Sequence, residues 1–218
     1  MSDFEILPSL AYEGFQPWPE KLKGWHGTDP IFMELINETQ PKLIIEVGTW
    51  LGQSAINMAN CLKALEIDAK IICVDTWLGA VEFIDKPRGS DWDLMPLNGY
   101  PQVYYQFLSN VMHWGHEDII IPFPQTSINA ARYFQSKGIQ ADLIYIDGSH
   151  EFEDVEADIR FYWPLLSQEG IMFGDDFNSS YWPGVVEGVQ SAFDRLDYDD
   201  AIEEQNEFWL VRKKWYEE

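Results

Sequence analysis

Residues 42–54 read K-L-I-I-E-V-G-T-W-L-G-Q-S. The first seven form a short, nearly unbroken apolar run, the pattern of a strand covered on both faces. Two glycines, Gly48 and Gly52, then turn the chain, and an apolar-periodic segment from about Gln53 to Leu65 reads as a helix. Strand, glycine turn and helix make the opening unit of an α/β sheet. The rest of the chain repeats it. Strands are predicted at 70–75, 118–123, 141–147, 170–175 and 207–212. Helices are predicted at 103–112, 128–136, 155–166 and 185–196, with an earlier one opened by Asp29-Pro30 and ended by Pro41. Alternating strands and helices predict helices on both faces of a mostly parallel sheet.

The 218 residues are expected to form one domain. Residues 1–27 read as an irregular lead-in, and 76–117 as an inserted cap, too long for an ordinary connection. With 37 acidic against 14 basic residues the net charge is −23, which repels phosphate backbones and anionic membranes. Neither nucleic acid nor a membrane is therefore expected as a partner. No apolar run approaches the ~20 residues that span a bilayer. The start of the chain is acidic and lacks the basic region of a signal peptide. Cys61 and Cys73 sit in apolar patterns and read as reduced core residues, so the expected compartment is the cytoplasm.

In an open parallel sheet, ligands bind beyond the C-terminal ends of the strands. Those ends carry Glu46-Val47-Gly48, Asp75, Asp147 and Asp175-Asp176. Gly48 and Gly52 allow close backbone approach, and the helix after them offers free N–H groups to an anion. The spacing departs from the dinucleotide pattern G-x-G-x-x-G. Asp75 ends the second strand, where a carboxylate can accept from two ribose hydroxyls. Asp147, in I-Y-I-D-G-S-H (144–150), and Asp175-Asp176, in I-M-F-G-D-D-F (171–177), bring three carboxylates together. They repel one another unless a cation sits between them. Oxygen-only ligands favour Mg²⁺, Ca²⁺ or Mn²⁺. The acids at 151–158, Asp158 among them, read as a solvated helix face.

The run E-V-G-T-W-L-G-Q-S resembles the first motif of class I S-adenosylmethionine-dependent methyltransferases, nearest to small metal-dependent O-methyltransferases of the catechol, macrolide-sugar and aminocoumarin-sugar types. The resemblance implies a Rossmann-like three-layer sandwich with a seven-stranded sheet, mostly parallel, and an antiparallel C-terminal strand. It implies S-adenosylmethionine as cofactor, bound by Glu46, Gly48, Thr49, Trp50, Gly52, Ser54, Asp75, Thr76, Thr126, Ser127 and Asp147. Ser54 would take the methionine carboxylate, Asp75 the ribose, and Thr126 and Ser127 would lie by the adenine. It also implies a divalent cation, most simply Mg²⁺, on Asp147, Asp175 and Asp176. His150 stands where the catechol type places its lysine base and some macrolide-sugar enzymes a histidine; the aminocoumarin-sugar type places an acidic base nearer the first metal ligand, where this chain has the non-acidic Ser149. The implied reaction deprotonates a hydroxyl of a small molecule or glycosyl unit at His150 and sends the oxygen to the sulfonium methyl. His26, Trp77, Asn178, Tyr181 and Trp182 are candidate acceptor contacts. Self-association is left open. Two competitors are a nicotinamide-dependent oxidoreductase and a non-enzymatic metal-binding module.

Overall fold

The structure, a computed structural model, describes residues 9–84, 86–87, 89–90, 93–178, 180–196, 198 and 202–214. The strands are β1 Leu43–Val47, β2 Lys70–Asp75, β3 Ile120–Pro124, β4 Ala141–Ile146, β5 Leu166–Gly174, β6 Glu203–Gln205 and β7 Phe208–Arg212. They form one seven-stranded sheet in the order β3-β2-β1-β4-β5-β7-β6. The pairs from β3 across to β5 are parallel, and β7 runs antiparallel to both β5 and β6. The Rossmann-like expectation therefore holds. The order reverses at β1, whose neighbours are β2 and β4, and a crevice opens at that switch point.

The helices are α1 Ile31–Thr39, α2 Gln53–Ala64, α3 Val103–Trp114, α4 Ser127–Ser136, α5 Phe152–Tyr162 and α6 Pro183–Arg195. Successive residues of a strand point to opposite faces, and this divides the core in two. Ile44, Ile71, Leu143, Tyr145 and Phe173 pack under α1, α2 and α3. Ile45, Val47, Ile72, Ile144 and Met172 pack under α4, α5 and α6. Continuous apolar strands are required because both faces are covered. On the first face Phe32 meets Tyr145, Phe173 and Phe208 edge-on, with ring centroids 5.1, 5.6 and 6.0 Å apart.

Several boundaries differ from expectation. The Asp29 side chain accepts from the Ile31 backbone N–H at 2.9 Å, so α1 starts at Ile31. α5 begins at Phe152 rather than near 155 and gives way at Trp163 to a 3-10 turn containing Pro164, which cannot donate the next helical bond. β5 begins at Leu166, before the predicted 170. β6, E-E-Q, is exposed at every position and shows no alternation to read. Within 76–117 the second half is not a cap: α3 is built into the core through Val103, Phe107, Leu108 and Val111. The part beside the crevice is a 3-10 turn, Val81–Phe83. Asp85, Arg88, Asp91 and Trp92 of the expected cap lie outside the described residues.

The tightest backbone approach joins β1 to β4. Gly48 has φ +83°, and a Cβ there would lie 2.0 Å from the Asp147 carbonyl oxygen. Gly48→Ala meets both a disfavoured backbone conformation and a backbone clash. It is expected to destabilise the fold by about 3 kcal/mol or more. Urea denaturation checks this, and an unchanged midpoint would count against the packing described.

Candidate active site

The turn after β1 is organised by two acids with different neighbours. Asp75, at the end of β2, accepts from the backbone N–H groups of Thr49 and Trp50 on Oδ2, at 2.9 and 2.8 Å, and from Trp77 on Oδ1 at 2.7 Å. It thus fixes the glycine turn. Glu46 is fully buried and accepts from Thr49 Oγ1 at 3.0 Å, from Ser54 Oγ, and from Cys73 Sγ at 3.3 Å. Burial raises its pKa from 4.5 to about 7, against the lowering effect of these donors.

A cavity of about 760 Å³ lies across the strand ends. Of the expected cofactor residues, Gly48, Thr49, Trp50, Ser54, Asp75, Thr76, Thr126, Ser127 and Asp147 line it. Glu46 and Gly52 do not. Glu46 lies behind the turn and holds its hydroxyls. Gly52 faces Phe107, which a Cβ would approach to 2.9 Å. The Ser54 hydroxyl is turned onto Glu46. Trp50 stacks between Trp25, at 5.0 Å, and Phe83, at 5.8 Å, giving the cavity an aromatic wall that includes two residues not anticipated.

At the β4 and β5 ends, Asp147, Asp175 and Asp176 each offer an oxygen within 4.8 Å of the others. Asp147 also accepts from the Tyr145 hydroxyl at 3.0 Å. Burial, then the charges of Asp175 and Asp176, hold its carboxyl far above the usual range. Asp175 is 5% exposed, and burial carries it up to about 6. His26 Nδ1 lies 3.1 Å from both Asp175 oxygens. Burial opposes a charge on His26, yet Asp175 raises its pKa. His150 is held from both sides, with Nε2 2.9 Å from Asp176 and Nδ1 2.9 Å from Glu82 in the Val81–Phe83 turn. Its ring stacks on Trp182 at 3.9 Å. Burial works against its charge, but the two carboxylates raise its pKa. Glu82 carried no sequence signal that set it apart from solvated acids.

The other candidates divide. Trp182, His26 and Trp77 border the cavity, and Tyr181, 75% exposed, stands at its mouth. Trp77 is only 2% exposed, packs on Tyr104 and Phe107, and donates its indole N–H to the Trp50 carbonyl at 2.9 Å, so it also supports Trp50. Asn178 is not among the lining residues: its amide donates to Glu207, which is, at 2.8 Å, and its oxygen accepts from the Ser180 N–H. The solvated-face reading of α5 is also corrected. Glu156 is buried against Arg195, at 2.6 Å, and Asp158 is buried at the cavity wall.

A family model described as "Methyltransferase domain" matches residues 45–177. Among curated proteins, the rhamnosyl O-methyltransferase of Mycobacterium tuberculosis is 22% identical over 217 residues, covering 93% of this chain and 75% of that protein. An uncharacterized protein of Sinorhizobium fredii, y4gI, is 24% identical over 177 residues, covering 80% of this chain; the chain spans only 17% of that protein's length. Among solved structures, that of CalS11, a TDP-rhamnose 3'-O-methyltransferase in calicheamicin biosynthesis, superposes with a TM-score of 0.58 at 18% identity, covering 85% of this chain and 79% of that one.

Glu46 generates a pH prediction. Its folded pKa lies above the unfolded value, so the folded state binds more protons between pH 4.5 and about 7. Stability therefore falls as pH rises through that window. Glu46→Gln is expected to remove its share of the fall, on the order of 3 kcal/mol at pH 8. Thermal melts of both proteins from pH 4.5 to 8 check this. Parallel curves would show that Glu46 does not carry the linkage.

Proposed function

The chain belongs to the methyltransferase-domain family whose model spans residues 45–177, and from that premise we propose that it methylates a hydroxyl of a rhamnose-type glycosyl unit, aided by a divalent cation. It is an S-adenosylmethionine-dependent methyltransferase. The family match sets aside the nicotinamide-dependent and non-enzymatic alternatives. Two relatives named for rhamnose support the acceptor class. An aromatic wall and Trp182 beside the carboxylates suit stacking on a sugar ring.

The observation that carries the cation is the convergence of Asp147, Asp175 and Asp176. Three carboxylates whose like charges repel, with no cysteine among them, fit a hard ion such as Mg²⁺. Bound there, the ion would supply Lewis acidity, lowering the pKa of the acceptor hydroxyl and fixing its direction. The chain's own groups do the rest. Asp75 and Glu46 hold the turn that carries the cofactor. Glu82 accepts from His150 Nδ1–H, and Nε2, which faces Asp176, would be the nitrogen to take the hydroxyl proton once Asp176 turned to a cation. The acceptor oxygen forms a bond to the sulfonium methyl carbon as the carbon–sulfur bond breaks, and its electrons stay on sulfur as the neutral thioether. His26 fixes Asp175 from the opposite side. A cytoplasmic setting is part of the proposal, supported by two free, buried cysteines. Among the described residues no helix is long and apolar enough to cross a membrane.

The test uses S-adenosylmethionine labelled in its methyl group, with p-nitrophenyl α-L-rhamnoside and dTDP-L-rhamnose as acceptors, in Mg²⁺ and in EDTA. Label is expected on the sugar in Mg²⁺. EDTA and Asp175→Asn are each expected to lower turnover at least about tenfold, roughly 1.4 kcal/mol of barrier. Full turnover in EDTA would remove the cation from the proposal, and labelling of neither sugar would remove rhamnose.

A further inference from the structure

The cavity extends beyond the carboxylate cluster. It runs across the strand ends from β5 to the turn after β3, where Gln125, Thr126, Ser127 and Ile128 meet α5. There the wall includes a carboxylate on the second turn of that helix. Asp158 is 5% exposed yet borders the cavity. No lysine, arginine or histidine among the described residues pairs with it. Its polar neighbour is Ser127, whose hydroxyl favours the ionised form, while Asp154 opposes it. Gly148 leaves the approach open, since a Cβ there would already stand 3.5 Å from Asp158 Oδ2 and 3.8 Å from Val47.

A buried carboxylate facing a ligand cavity without a cation is costly unless the ligand brings a donor. Ile128, Ala157 and Val74 also line the cavity, and their apolar surfaces suit an aromatic ring. We propose that Asp158 reads the nucleobase of the cofactor, accepting a hydrogen bond from the exocyclic amine of adenine at the β3 end of the cavity. The assignment rests on the methyltransferase reading and adds a specificity residue to it. An ionised carboxylate only accepts. It therefore favours a base with an amine at that position and disfavours one with a carbonyl, where two acceptors would face each other. Burial lifts the Asp158 carboxyl to about 7, so the ligand comparison is made at pH 8.5, where the carboxylate is ionised and only accepts.

The test needs no acceptor sugar. Calorimetry compares S-adenosylhomocysteine with S-inosylhomocysteine, in which a carbonyl replaces the amine, on the wild type and on Asp158→Asn. The wild type is expected to bind the adenosyl compound at least about tenfold more tightly. Asp158→Asn is expected to bring the ratio within about twofold of unity or to reverse it, because a carboxamide N–H can donate to the inosine carbonyl. If Asp158 served only to tie α5 to α4 through Ser127, the substitution would weaken both ligands together and keep the ratio, which would overturn the proposal. A wild type with no preference would overturn it as well. Failure of the wild type to bind S-adenosylhomocysteine would overturn the cofactor reading, and this proposal with it. Should Asp158→Asn not fold, judged by its thermal melt, Asp158→Ser carries the same comparison, with loss of the ratio expected.

Discussion

At the ends of β1 and β4 two backbones approach so closely that a Cβ on Gly48 would sit 2.0 Å from the Asp147 carbonyl. Much of the site depends on that contact. The turn after β1 carries the cavity-lining residues Thr49, Trp50 and Ser54, while β4 delivers Asp147 to the carboxylate cluster. These strands pair directly, Val47 against Ile146, and the Asp147 N–H donates to the Val47 carbonyl at 2.8 Å. A bulkier residue at 48 would push the two ends apart and separate the methyl donor from the group that orients its acceptor. A small displacement at this point matters, because methyl transfer needs the attacking oxygen, carbon and leaving sulfur in line. The glycine turn is therefore a spacer between two functional halves as well as a bend in the chain.

The acids near the switch point differ in what satisfies them. Asp75 is met by three backbone N–H groups, and Glu46 by two hydroxyls and a thiol. Both are internal fittings of the turn. Asp147, Asp175 and Asp176 have Tyr145, His26, His150 and the Asp176 backbone N–H, which is too little for three carboxylates so close together. Asp158 has Ser127. Ranking acids by the donors the protein itself supplies separates those that hold the fold from those that face a ligand. On that ranking Glu46 groups with the acids that hold the turn, and Asp158 with those whose donors are too few.

The fold was legible because its strands are apolar on both sides and its turns carry glycine and aspartate. The same rules leave β6 unreadable, since an exposed edge strand needs no apolar pattern and E-E-Q has none. The carboxylate cluster was legible too: three acids at the ends of strands covered on both faces have few structural uses. Glu82 and Asp158 were not. Each sits among other acids, and what distinguishes it is a partner brought from afar, His150 for the one and the cavity for the other. Trp77 and Asn178 show how little local sequence says about the way a side chain turns. Trp77 packs on core rings while still bordering the cavity, and Asn178 bonds Glu207, itself a lining residue.

The acidity of the cavity also bears on turnover. Asp75, Asp147, Asp158, Asp175 and Asp176 all border it, and among the described residues Lys23 is the one lysine or arginine that lines it. S-adenosylmethionine enters with a positive sulfonium, which such surroundings attract. Methyl transfer converts that sulfur to a neutral thioether while the proton passes to the protein or to water. The attraction that helped bring the cofactor in is thereby withdrawn from the product, at the moment when release is required. Coulomb interactions across a partly desolvated cavity are large enough for the difference to matter, on the order of 1 kcal/mol or more for a single charge several ångströms from a carboxylate. Under the proposed function one distribution of acids would serve two ends: it would collect charge at the cluster proposed to orient the acceptor, and it would hold the loaded cofactor more strongly than the spent one by the charge the reaction removes.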